Sequence, residues 1–171
     1  MSGLFLGVDT SNYTTSLALC KNGKIIANEK LPVYVKDGER GVRQSDAVFS
    51  HVKNLPLLFE KLGAQSPDAI GVSVRPRSVE GSYMPCFLAG YSVARSISEM
   101  NNIKFFEFAH QQGHVMAALY SAGRTELWDS RFIAFHVSGG TTEMLIADRG
   151  NITTVGGTLD LNAGQVIDRV G

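Results

Sequence analysis

A chain of 171 residues, 44% of them hydrophobic, can bury a core of its own and has room for one domain or parts of two. Its 16 Lys and Arg offset its 16 Asp and Glu, which excludes an overall field that gathers nucleic acid; a polynucleotide partner has to meet a local patch or another subunit. The two cysteines, Cys20 and Cys86, share no ligand spacing, no apolar run reaches membrane-spanning length, and Met1-Ser2-Gly3 leads into a strand, so a soluble cytoplasmic protein with reduced thiols and no membrane partner is expected.

Leu4 to Val8 is a short apolar run ending at Asp9-Thr10-Ser11, and it reads as a buried central strand. Thr14 to Cys20 is a second strand, and the pair Asn22-Gly23 signals a two-residue hairpin into a third, Lys24 to Glu29. The charged, glycine-bearing stretch from Pro32 to Gln44 reads as an exposed loop. Ser45 or Asp46 is placed to cap a helix with an apolar stripe at Phe49, Val52, Leu55, Phe59 and Leu62, which Pro56 should kink or split. Ala69 to Val74 is another buried strand. Ser82 is placed to cap a helix carrying Met84, Phe87, Leu88, Tyr91, Ala94 and Ile97, with Pro85 tolerated in its first turns. Phe105 to Phe108 is a short strand that delivers the chain to His110.

From His110 a helical reading is natural, and it sets His110 and His114 four apart on one face, close enough to grip a single metal ion. Two half-buried histidines satisfied by backbone or water would show the same spacing. The pair begins a helix just past the carboxyl end of a strand, the edge at which open α/β sheets bind ligands.

A shift of 127 positions carries Ser11 onto Ser138, Thr14-Thr15 onto Thr141-Thr142 and Gly23 onto Gly150. The run from Leu4 to Val8 falls on Arg131 to Phe135, Leu17 and Leu19 on Met144 and Ile146, and Ile25 on Ile152. Both copies read strand, small polar turn, strand, hairpin, strand. A spacing this long suggests a duplicated domain and not a solenoid; two unrelated meanders sharing turn chemistry are the alternative. In the second copy, Val137-Ser138-Gly139-Gly140-Thr141-Thr142 has the composition of an anion nest, with glycines that permit close approach and positive φ. Asp9, in the first copy, is placed to hold a metal or a water.

Leu6-Gly-Val-Asp-Thr-Ser11, His51-Val52 with Leu55-Pro56-Leu57, His110-Gln-Gln-Gly-His114, Val137-Ser-Gly-Gly-Thr141 and Thr158-Leu-Asp-Leu-Asn-Ala-Gly-Gln-Val-Ile-Asp168 fall in a known order. Over essentially its whole length the chain resembles the tRNA threonylcarbamoyladenosine synthase family, formerly described as O-sialoglycoprotein endopeptidase or glycoprotease. The resemblance implies the α/β actin-like ATPase fold, built from two ribonuclease-H-like halves. Residues 1–129 would form a complete first half with the metal-binding helix, and residues 130–171 the truncated start of the second. It implies one divalent metal, iron(II) or zinc, on His110 and His114, with a third ligand beyond residue 171. It also implies transfer of the threonylcarbamoyl group from threonylcarbamoyl-AMP to the exocyclic amine of the adenine next to the tRNA anticodon. His136, Val137, Ser138, Gly139, Gly140 and Thr141 would form the phosphate turn, and Asp168 would bind the ribose. The partners implied are that adenylate or an ATP-like nucleotide, tRNA through partner subunits, and other proteins of the modification pathway. A second copy of the chain is a further candidate, because an unfinished domain exposes an edge.

The chain departs from the family pattern at four places. Arg75-Pro76-Arg77-Ser78 stands for Arg-Gly-Pro-Gly, Asn12-Tyr13-Thr14 for a cysteine and acidic pair, and Gln165 for a glutamate. His136 stands for an apolar residue or tyrosine, and is either an extra ligand or a polar strand residue. A non-catalytic paralogue acting as a scaffolding subunit of the same pathway is the alternative function. A metallo-glycoprotease is a third, disfavoured because no glutamate lies between the two histidines. As a fragment the chain is expected to be inactive alone, and Arg40, Arg43, Arg75 and Arg77 are the basic residues expected to face tRNA.

Overall fold

The computed structural model describes residues 3–35 and 41–170. They form two compact units, one through His110 and one from Gln111 onward.

The first unit opens on an antiparallel meander of β1 (Leu4–Asp9), β2 (Thr14–Lys21) and β3 (Lys24–Pro32). Helix α1 (Gln44–Leu62) leads to β4 (Ala69–Arg75), and helix α2 (Phe87–Asn101) leads to β5 (Lys104–Ala109). Both crossovers return the chain parallel to β1, giving one five-stranded sheet in the order β3-β2-β1-β4-β5. Alternating apolar residues of the meander supply one face of the core, and β4, an interior strand between β1 and β5, supplies Ile70 and Val72. The helices close over Leu6, Val8, Leu17 and Leu19 with Leu55, Leu58, Ala89 and Ala94. Each fully buried aliphatic side chain there contributes about 1.5–3 kcal/mol.

The second unit holds helix α3 (His110–Ser121) from Gln111 on, a 3₁₀ turn (Thr125–Asp129), and an antiparallel sheet of β6 (Arg131–Val137), β7 (Thr142–Asp148) and β8 (Asn151–Gly157), followed by helix α4 (Ala163–Val170). Val115 and Leu119 of α3 pack with Leu145, Ala147 and Ile152 of this sheet, supported by Leu127 and Trp128. That packing accompanies the division of the chain at the start of α3.

The duplication is visible in the strand registers. Leu4 pairs with Lys21 and Phe5 with Cys20; 127 residues on, Arg131 pairs with Asp148 and Phe132 with Ala147. Lys21 with Lys24 and Cys20 with Ile25 recur as Asp148 with Asn151 and Ala147 with Ile152. Both hairpins turn through two residues of positive φ, Asn22 (52°) with Gly23 (77°) and Arg149 (48°) with Gly150 (80°). Two successive positive φ angles match the twist of the flanking strands.

Several local expectations are corrected. Helix α1 starts at Gln44, with Arg43 before it and no side-chain cap; the Ser45 hydroxyl lies against Asp46 instead. Pro56 does not split α1. The carbonyl its ring leaves without a helical partner belongs to Val52, which is exposed, as is Pro56 itself, so water can take the place of the lost hydrogen bond. The buried stripe is Ala47, His51, Leu55 and Leu58, whereas Phe49 and Val52 face outward. Helix α2 starts at Phe87, after Pro85 and Cys86, and the Ser82 hydroxyl accepts a hydrogen bond from the Arg77 amide at 2.9 Å instead of capping it. The stretch expected as an exposed loop is in part structured: Pro32 ends β3, Val33 is buried and Gln44 opens α1. Residues 36–40, including Arg40, lie outside the described residues.

Candidate functional site

In the first unit, Asp9 ends β1 and His110 follows β5 without a loop. The two meet at 2.8 Å between the carboxylate Oδ2 and Nδ1 of the ring. The other oxygen, Oδ1, accepts the Ser11 amide at 2.8 Å. Burial raises the Asp9 pKa, but the hydrogen bond and charge of His110, with hydrogen bonds from Ser11 and Ser73, outweigh it and hold the carboxyl at about 2. A carboxylate at this pKa only accepts, so Nδ1 of His110 donates the hydrogen bond between them. This carboxylate–histidine arrangement is the one that orients metal-bound imidazoles.

The end of β1 is fixed from behind. Thr10, fully buried, donates to the Cys86 carbonyl at 2.9 Å and accepts the Gly90 amide at 3.1 Å, tying the strand to the first turns of α2. A Cβ on Gly90 would stand 2.8 Å from the Thr10 hydroxyl, so only glycine permits this approach. His51 lies wholly within the core, its Nδ1 2.8 Å from the Thr15 hydroxyl, which also accepts from Asn54 at 3.0 Å. Burial holds its pKa below the ordinary imidazole value, against the opposing pull of the Asp9 charge. Its Nε2 has no hydrogen-bond partner among the described residues. In the sequence His51 stood out only as part of a motif, because a core histidine and a surface one look alike there.

In the second unit, His114 on α3 faces His136 of β6 with ring centres 5.1 Å apart. His136 and Glu143 are direct cross-strand partners, with 4.0 Å between Nδ1 and Oε2. Gln111, one turn before His114, donates to the same Oε2 at 3.2 Å. Glu143 had not been singled out in the sequence; its pairing with His136 depends on the strand register.

The turn after β6 differs from the expected nest. Gly139 and Gly140 do not adopt positive φ. The Ser138 amide donates to the Thr141 carbonyl at 2.7 Å and the Gly140 amide to the Ser138 hydroxyl at 3.3 Å, so two of the turn's donors bond within it. The turn instead receives the start of α4. The Gly164 amide donates to the Ser138 carbonyl at 3.2 Å, and a Cβ on Gly164 would stand 2.6 Å from the Gly139 Cα. Thr142 Oγ1 accepts the Ala163 amide at 2.8 Å, and Gln165 Oε1 accepts the Asn162 amide at 3.0 Å, the reciprocal half of a capping box that Gln performs as Glu would. Val137 is exposed at the end of β6, and Asp168 is exposed on α4.

Toward a metal the donor set fits in part. His110 and His114 lie one helical turn apart on α3, and His110 has its orienting carboxylate. Among the described residues, no three His, Cys, Asp or Glu stand close enough together to hold an ion.

Solved structures share this architecture. YeaZ from Pseudomonas aeruginosa superposes with a TM-score of 0.51 at 14% identity, over 95% of this chain and 68% of that one. The ROK hexokinase from Thermus thermophilus gives 0.53 at 13% identity, over 87% of this chain and 47% of the hexokinase. The fold is that of the actin-like ATPases. Within that class, the family model for TsaD, tRNA N6-adenosine threonylcarbamoyltransferase, matches residues 24–171, and the chain belongs to this family. The protein of that name from Thermosipho melanesiensis is 31% identical over 98% of this chain and 51% of its own length. The one from Christiangramia forsetii is 28% identical over 96% and 49%. The chain thus spans about half the length of these relatives.

Proposed function

We propose that this chain carries the metal-binding half of an enzyme that transfers a threonylcarbamoyl group from threonylcarbamoyl-AMP to the N6 amine of adenine in tRNA. The observation that carries the reading is His110 at the head of α3, its Nδ1 held at 2.8 Å by a carboxylate that stays ionised.

His110 and His114 would hold the ion, iron(II) or zinc, through one nitrogen each. When bound, the metal supplies Lewis acidity to the carbonyl under attack. Asp9 fixes the tautomer and direction of His110, and Thr10 with Gly90 fixes Asp9 by anchoring the end of β1. His136, Val137, Ser138, Gly139, Gly140 and Thr141 would lie along the adenylate phosphate. The amino end of α4, seated on that turn, adds the positive end of its dipole. Asp168 would accept from the ribose hydroxyls. The amine nitrogen bonds to the carbamoyl carbon, the bond to the phosphate oxygen breaks, AMP leaves with its electron pair, and the amine loses one proton. Arg43, Arg75 and Arg77 would contact tRNA, with other proteins of the pathway supplying the rest of that surface. No helix among the described residues is long and apolar enough to cross a membrane.

The test joins residues 1–171 to the second half of the Thermosipho melanesiensis relative and measures both metal content and transfer to unmodified tRNA. Loss of metal and of transfer together in His110→Ala is expected. A folded fusion that keeps both without His110 would exclude that residue from the site.

A further inference from the structure

We infer that Arg75, at the end of β4, holds the carboxylate of the threonyl group in the substrate and is a specificity-determining residue beside the Asp9–His110 pair. The inference rests on the reading of this chain as part of a threonylcarbamoyl transferase, and it narrows the arginines proposed for tRNA to Arg43 and Arg77.

Position carries it first. Strand β4 lies between β1 and β5 and runs parallel to both, so Asp9, Arg75 and Ala109 close three adjacent strands at one edge of the sheet, with His110 next in the chain. This carboxyl edge is where open α/β sheets take their ligands. Val8 pairs with Val72, which sets Asp9 level with Ser73, and Ser73 hydrogen-bonds the Asp9 carboxylate. Arg75 is the next residue but one and pairs with Ala109. Between Ser73 and Arg75 the register slips, β4 taking two steps where β5 takes one. Such a bulge re-aims the side chains at a strand end and recurs beside active sites. Arg75 is half-buried, yet the groups that hold Asp9 ionised are His110, Ser11 and Ser73, so the charge of the guanidinium is not spent on that carboxylate.

The loop after β4 leaves side chains as its donors. The family pattern has glycines here, which let a backbone approach a ligand closely. In this chain Pro76 has no N–H, and the Arg77 amide is taken by the Ser82 hydroxyl at 2.9 Å. The Ser82 amide donates to the Val79 carbonyl at 3.2 Å, and Gly81, at a φ of 72°, lets the chain turn back. The loop ends at Cys86, whose carbonyl accepts from Thr10, so both of its ends are tied to the end of β1. An anion at this rim therefore meets a guanidinium, whose fork of N–H groups matches a carboxylate bidentately. The phosphate of the substrate is already given to the turn at residues 136–141, which leaves the threonyl carboxylate as the anion next to the carbonyl under attack.

Calorimetry on the 171-residue chain measures binding of AMP, of a non-hydrolysable analogue of threonylcarbamoyl-AMP, and of the same analogue without its threonyl carboxylate. The unsubstituted chain should prefer the carboxylate-bearing analogue by roughly 10- to 100-fold, and Arg75→Gln should cut that preference to about twofold while keeping the affinity for AMP. Arg75→Lys should recover only part of it, because an ammonium does not bind bidentately, and it serves the same comparison if Arg75→Gln fails to fold by circular dichroism. Equal affinity for the two analogues in the unsubstituted chain, an undiminished preference in a folded Arg75 variant, or a loss that falls equally on AMP would overturn this inference and leave the transferase reading standing. An intact preference in Arg75→Gln, with the log–log salt slope of tRNA binding reduced by about one, would return Arg75 to the tRNA surface. Failure of the unsubstituted chain to bind AMP and both analogues would overturn both readings.

Discussion

Asp9 is engaged by His110, Ser11 and Ser73, and together these engagements favour its ionised form over the cost of burial. Removing that charge while keeping the shape should leave the fold but loosen the ring: Asp9→Asn is expected to weaken zinc binding by about 10- to 100-fold, read by chelator competition. His51 provides a pH test that involves no proposed ligand. Its folded-state pKa lies below the unfolded value of about 6.5, so its contribution to stability is complete above that value and is lost as pH falls below it. Urea midpoints of the metal-free chain should therefore fall on going from pH 7.5 to pH 5, and His51→Leu should flatten that slope. An unchanged slope would show that burial of His51 does not set it. At this scale the sequence shows partners close along the chain and hides distant ones. The i,i+4 histidines were legible, whereas Asp9 and His110 lie 101 residues apart and meet only through the parallel pairing of β4 with its neighbours.

The two hairpins follow one design with unequal residues. Asn22 suits a positive φ, whereas Arg149 holds 48° with a long side chain in a region that L-residues other than Asn and Asp rarely enter. Arg149→Asn, copying the first hairpin, should raise stability by about 0.5–1 kcal/mol in urea unfolding; a loss would mean that the Arg149 side chain contributes more than the backbone strain costs. The seat of α4 makes the opposite demand. In Gly164→Ala the new methyl meets the Gly139 backbone, so α4 must move off the turn, with a cost on the order of 1–3 kcal/mol, visible as faster amide exchange in α4. The hairpin at Asn22-Gly23 was legible because its chemistry lies in two adjacent residues. The starts of α1 and α2 were not, because neither has a side-chain cap: Ser45 and Ser82 carry the right chemistry but bond elsewhere.

Across the whole chain, the 127-residue repeat was readable down to strand pairing, but the fate of the repeated faces was not. Leu6 and Val8 are 5% and 3% exposed beneath α1 and α2, while their counterparts Ile133 and Phe135 are 62% and 73% exposed. Sequence similarity between the copies could not reveal this, because burial depends on what covers a face. The contrast has a measurable consequence. Leu6→Ala should cost about 2–5 kcal/mol, whereas Ile133→Ala should change stability by no more than about 0.5 kcal/mol. Comparable losses would mean that Ile133 is covered in solution.

The most direct test of the account is X-ray absorption at the zinc edge of the zinc-loaded chain, which counts coordinated imidazoles. The pair on α3 requires the count to fall by one in His110→Ala and by one in His114→Ala. A zinc shell without imidazole, or one that neither substitution alters, would contradict it.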